Sequence, residues 1–137
     1  FTVGAAPTET YRRLFDVAEA TYGNLLDAVV PGNGAGDVHE ALAPIEESPF
    51  KSYDVCVHGY GGGYLHPFIG TERSNYWPNP HDDLTAEWTF EPGQVVVIQP
   101  NVVTEDERAG LQFGTTLIVT EDGNENVHEF PAEFGRV

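Results

Sequence analysis

The spacing of the apolar residues changes once along this chain, and that change limits the folds open to it. Through the first thirty residues, Tyr11, Leu14, Phe15, Ala18, Tyr22, Leu25, Leu26 and Val29 recur at steps of three and four, which is one face of a helix. Thr8, after Pro7, stands where a cap is needed, and Pro31–Gly32 supplies a stop. "DVHEALAPIEE" predicts a second, shorter helix, with Asp37 as its cap and Pro44 as its end or kink. From Tyr53 onward the texture is that of strands. "SYDVCV" and the β-branched "QVVVIQP" read as strands, and "LQFGTTLIVTEDGNENVHEF" reads as a hairpin turning at Asp122–Gly123, because glycine tolerates positive φ. Between them "HGYGGGYLHPFIGTERSNYWPNPHDDL" reads as a loop longer than a connector needs, and therefore as a place to look for function. Helices first and antiparallel strands after them predict an α+β fold.

The 137 residues suit one domain, 1–137. The chain starts at Phe1 and contains no methionine, so it reads as a partial domain whose N-terminal part lies upstream. Six Lys+Arg against 22 Asp+Glu give a net charge of −16. Such a surface repels phosphate backbones, which argues against nucleic acid as a partner and leaves room for a basic protein. No apolar run approaches the roughly 20 residues that span a bilayer, and no signal peptide is visible, so a cytoplasmic setting is expected. Cys56 is alone, which rules out an internal disulfide and a cysteine metal cluster within this sequence. Its apolar run "YDVCVHG" predicts a buried small hydrophobe rather than a nucleophile.

His58 and His66 bracket the glycine-rich stretch. Imidazole ligates metals, relays protons or donates to a substrate oxygen near neutral pH, and the glycines between the two let backbone approach a ligand closely. They follow no strand–turn–helix pattern, so they are not a dinucleotide fingerprint. Tyr60, Tyr64, Tyr76 and Trp77 are candidates to wall an aromatic pocket, against the plainer reading that they pack the loop. His81 and His128 read as surface histidines.

Three segments taken in order, "VHGYGGGYLHP", "FEPGQVVVIQP" and "GLQFGTTLIVTEDGNENVHEFP", resemble the C-terminal half of the creatinase/aminopeptidase P/prolidase family, the pita-bread proteins. The helix before Pro31–Gly32 and the opening "FTVG" are similar to that half as well, so the resemblance covers nearly the whole chain. It implies a curved antiparallel sheet with helices on its outer face and His58, His66, Gln99 and Gly114 on its inner face. Because the family's fold normally has another half, exposed strand edges and a homodimer are also expected.

The resemblance further implies a di-metal site of two aspartates, one histidine and two glutamates, holding Mn, Co or Zn. The aspartates would lie before Phe1, and His58 matches the ligand histidine. Gln99 stands where the first glutamate belongs and Gly114 where the second belongs. A neutral amide does not bridge two cations as a carboxylate does, and glycine offers no side chain, so an intact two-metal site is not expected. The creatinase branch of the family works without metal, using a histidine as proton shuttle. By that resemblance His58 is the catalytic acid–base, His66 a second catalytic group in contact with substrate, and Gln99, Tyr60, Tyr64 and Trp77 contact substrate. The expected activity is a non-canonical hydrolysis of a small amide, peptide or amidine. A catalytically silent pita-bread module that binds peptide or protein is the alternative, and a metal-dependent Xaa-Pro peptidase is a third.

Overall fold

The computed structural model describes residues 4–74 and 83–129, with Tyr64, Asp83 and Leu84 described in their backbone only. Phe1 to Val3, Tyr76, Trp77, His81 and the segment from Phe130 onward, all of which figure in the sequence reading, lie outside it.

Helix α1 runs over Glu9–Ala28, and Thr8 caps it by accepting from the Tyr11 amide. Leu14, Ala18, Thr21, Leu25 and Ala28 are its buried residues. Phe15, Tyr22 and Leu26 flank that stripe half-buried, whereas Tyr11, expected on the apolar face, is 38% exposed in the first turn. Helix α2 covers Ala35–Ala41 and α3 Ala43–Glu46. Asp37 is not the cap of α2. Gly34 holds that position, and Asp37, three residues on, reaches back to accept from the Gly34 amide at 2.8 Å. Pro44 sits in the first turn of α3, where its missing N–H leaves no bond unmade.

The strands divide into two antiparallel sheets. Strands β1 (Phe50–Ser52), β5 (Val102–Thr104) and β6 (Gly110–Leu111) form the smaller, in the order β1-β5-β6. Strands β2 (Val57–Tyr60), β3 (Tyr64–Ile69), β4 (Val95–Ile98), β7 (Thr115–Val119) and β8 (Asn124–Asn126) form the larger, in the order β3-β2-β4-β7-β8. The short helix α4, Asp83–Ala86, packs on β3.

The glycine-rich segment corrects the sequence reading. Its first half is not a loop but the β2–β3 hairpin, turning through Gly61, Gly62 and Gly63. Glycines break the alternation by which strands are recognised, yet one of them makes the pairing possible. A Cβ at Gly59 would stand 2.3 Å from the His66 carbonyl oxygen, so only glycine lets β2 and β3 approach at their bulge. "SYDVCV" is not one strand either: β1 ends at Ser52, and Tyr53 to Cys56 carry the chain from the small sheet to the large one. The β7–β8 hairpin forms as expected, closed by the Thr120 amide on the Gly123 carbonyl at 2.9 Å, but Gly123 does not use a positive φ.

Register separates the two faces of the larger sheet. Ile69, Val57, Ile98 and Thr115 form one cross-strand row, each 6% exposed or less, and its three apolar members pack with Leu117, Val119, Leu14, Leu25 and Phe90 beneath the helices. Cys56 is fully buried in this core, where desolvation pushes its thiol pKa up to about 12, as a structural cysteine should behave. The next row, Phe68, His58, Val97 and Thr116, faces away from the helices. Asn124 of β8 donates to the Leu26 and Val29 carbonyls, closing the last turn of α1 and tying the far edge of the sheet to it.

Candidate functional site

Two chain crossings between the sheets run side by side, and they build the site. One is Tyr53 to Cys56, between β1 and β2. The other is Gln99 to Asn101, between β4 and β5. The Tyr53 amide donates to the Asn101 carbonyl at 2.8 Å, and the Gln99 amide donates to the Cys56 carbonyl at 2.7 Å. Pro100, between them, has no N–H to give. Asp54 faces this gap, and the two flanking amide side chains turn to it. Asn101 Nδ2 donates to Asp54 Oδ1 at 3.0 Å. Gln99 Nε2 lies 3.2 Å from the Val55 carbonyl and 3.4 Å from Asp54 Oδ2. Burial raises the Asp54 pKa above its usual 3.8, against the Asn101 bond and the nearby His58, which lower it.

His58 sits behind Gln99. It is 3% exposed, and burial is the main influence on its pKa, holding it below 6.5, while the Gly59 carbonyl, the Asp54 charge and a hydrogen bond with Gln99 pull upward. Nδ1 lies 2.9 Å from the Gly59 carbonyl oxygen. A carbonyl only accepts, so Nδ1 is the donor in this bond.

A cleft of about 400 Å³ opens where the crossing after β4 meets the start of β7, lined among others by Asp54, Gln99, Asn101, Phe113, Gly114 and His128. Of the residues picked out from sequence, Gln99 and Gly114 line it. His58 reaches it through Gln99. His66 is half-buried and stacks on Phe68, ring centroids 4.4 Å apart, on β3, with two strands between it and β7. Tyr60 is 54% exposed at the end of the β2–β3 hairpin. Tyr64 begins β3, and Trp77 lies outside the described residues. His128 is exposed, as expected, but it borders the cleft. Asp54 and Asn101 were missed. Asp54 lies 45 residues from Gln99 and 47 from Asn101, and only the pairing of β2 with β4 brings them together. The one signal in the sequence was a carboxylate four residues before His58, in an otherwise apolar run.

The donor set does not fit a two-metal centre. Gln99 is neutral, and its amide nitrogen is engaged with Asp54 and the Val55 carbonyl. Gly114 has no donor, and the backbone leaves no room for one: a Cβ there would stand 2.3 Å from the Ile98 carbonyl oxygen and 2.9 Å from the Gln99 Cα. Among the described residues, no group of three or more His, Cys, Asp or Glu is placed to hold a metal ion. Within the same residues, no helix is long and apolar enough to cross a membrane.

Comparison with known proteins agrees with this architecture. A dipeptidase from Pyrococcus horikoshii superimposes with a TM-score of 0.75 at 18% identity, over 98% of this chain and 35% of that one. A prolidase from Thermococcus sibiricus gives 0.76 at 15%, over 99% and 34%. A methionine aminopeptidase from Rickettsia prowazekii gives 0.66 at 20%, over 89% and 54%. At these identities the likeness is one of fold. A curated relative, an agropine synthesis cyclase from Rhizobium rhizogenes, is 28% identical over 130 residues, which are 93% of this chain and 30% of that protein. The chain therefore spans about a third of the length of the curated relative and of the dipeptidase and prolidase. The model of metallopeptidase family M24 matches residues 1–121. A helix-backed antiparallel sheet, the pita-bread neighbours and this family match agree, and the chain belongs to metallopeptidase family M24.

Proposed function

We propose that this chain forms part of a diverged hydrolase-type unit of the family, working on a small amide, peptide or amidine by proton transfer through His58 rather than through a pair of metal ions. The observation that carries this reading is the replacement of the two glutamate positions by Gln99 and Gly114 together with what surrounds them. The space has been rebuilt. An amide held by Asp54 fills one position, and backbone packed against backbone closes the other.

In this reading water adds to the substrate's carbon and the C–N bond breaks. His58 Nε2 takes the proton from water and passes it to the departing nitrogen, so charge and atoms balance within the site. Burial suits His58 to begin as the neutral base. Gln99 stands between that base and the cleft, so its side chain swings aside, or passes the substrate's orientation on, when substrate is bound. His66 stacks on Phe68, which pairs with His58, and meets the part of the substrate reaching in from the β3 side. A second reading draws on the relative named as a cyclase. When the attacking group belongs to the substrate and water leaves, ring closure uses the same proton path in the opposite direction.

The test is turnover of small amides, peptides and amidines by the full natural protein and by His58→Ala. A fall of about 10²- to 10⁴-fold is expected, the range for losing a general acid–base. Turnover that survives the substitution sinks the His58 mechanism. Ligand binding with no turnover in either protein assigns the domain to binding instead.

A further inference from the structure

We propose that the cleft beside the sheet seam binds its ligand through a protonated nitrogen group, an ammonium, amidinium or guanidinium, with Asp54 as the charge partner. The proposal rests on the reading of this cleft as the ligand-binding part of the site described above.

The amide orientations are the first argument. Asn101 Nδ2 points at Asp54 Oδ1, and Gln99 Nε2 points at Asp54 Oδ2 and the Val55 carbonyl. Both N–H groups of Gln99 and one of Asn101 are thus engaged within the protein. When ionised, the carboxylate that these amides hold offers a ligand only acceptors, and acceptors select N–H donors.

Charge points the same way. Among the described residues, Asp54 is the one carboxylate on the cleft wall, and no lysine or arginine lines it. Among the described residues, His58 behind Gln99 is the titratable group whose charge acts on Asp54, His128 borders the cleft, and Cys56 beneath it stays protonated. An anionic ligand would meet Asp54 and the field of a −16 chain, whereas a cation is drawn by both. Asp54 accepts from Asn101, from Gln99 and from its own amide, and a carboxylate with about four lone-pair sites keeps room for one further N–H donor.

Shape is the third argument. Phe113 lines the cleft and is fixed from behind by edge contacts with Phe15 and Tyr22, centroids 5.8 and 4.9 Å away. A held aromatic ring beside a carboxylate suits a flat cation, one surface taking the π face and the other the N–H edge.

The experiment compares benzamidine with benzamide, a neutral molecule of nearly the same shape, by calorimetric titration of the full natural protein, of Asp54→Asn and of His58→Gln. Benzamidine is expected to bind about ten-fold more tightly than benzamide, the scale of one charge-assisted pair. Asp54→Asn is expected to erase that preference, and His58→Gln to keep it while losing turnover. Equal binding of the two probes, no saturable binding of benzamidine, or a preference that survives Asp54→Asn overturns the proposal. The comparison in the unaltered protein does not depend on any variant folding. A preference for the cation with turnover unaffected by His58→Gln retains this inference and removes the His58 mechanism. His58-dependent turnover with no preference does the reverse.

Discussion

Asn101 Nδ2 donates to Asp54 Oδ1 at 3.0 Å, joining two residues 47 positions apart across the seam between the sheets. Asn101 is 6% exposed and its partner is a carboxylate, so with Asp54 ionised the bond belongs to the stronger class. Asn101→Ala is expected to lower stability by about 1.5–3 kcal/mol, because a carboxylate in the wall loses its main donor. Urea denaturation reads this directly, and a loss under 0.5 kcal/mol would show that water replaces Asn101 without penalty.

The pH dependence of stability carries two opposing contributions from neighbouring groups. Burial raises the Asp54 pKa above 3.8, so the folded chain holds that proton more tightly than the unfolded chain, and the Asp54 contribution falls as pH rises through the window above 3.8. Burial lowers the His58 pKa below 6.5, so the contribution of neutral His58 is complete above 6.5 and is lost as pH falls through the window beneath it. Relative to the parent, Asp54→Asn is therefore expected to gain in melting temperature between about pH 4 and pH 7, and His58→Gln to gain between about pH 7 and pH 5. Parallel curves for either variant would contradict the assignment of that group.

At Gly114 the crowding is by backbone, which does not step aside. Gly114→Ala is expected to cost about 1–3 kcal/mol, the range for overpacking. Gly114→Glu, which restores a carboxylate to the matched position, is expected to cost more and to gain no metal. A Gly114→Ala variant of parental stability would mean that the β4–β7 spacing is looser than found here.

Adjacent residues of β4 should respond very differently, because they face opposite ways. Ile98 is fully buried under the helices, and Ile98→Ala is expected to cost about 2–5 kcal/mol. Val97 borders the half-open cleft, so Val97→Ala is expected to cost under about 1 kcal/mol and to affect ligand binding instead. Equal losses would contradict the assignment of faces.

Much of the fold is legible in the residues themselves. The three- and four-residue steps from Leu14 to Leu25 place α1, and the β-branched run Val95 to Ile98 places the central strand, because in both cases burial on one face leaves a periodic trace. The β2–β3 hairpin was hidden because Gly59, Gly61, Gly62 and Gly63 have no side chains to show alternation. Gln99 and Gly114 were legible as departures from a family pattern, but Asp54 was not. Its role depends on two crossings of the chain meeting at Pro100, a product of topology that no local pattern records. His58 was legible as a candidate, and its burial behind Gln99 was not.

The central claim is that the family's two-metal site has been replaced at Gln99 and Gly114 by a neutral, tightly packed one. It is tested most directly by the metal content of the full natural protein, measured by mass spectrometry after incubation with Mn²⁺ and Zn²⁺ and desalting. Near-zero bound metal, unchanged by His58→Ala, is the predicted result. About two ions per chain, the number a co-catalytic pair requires, would contradict the account and restore a metal-dependent peptidase as the reading of this site.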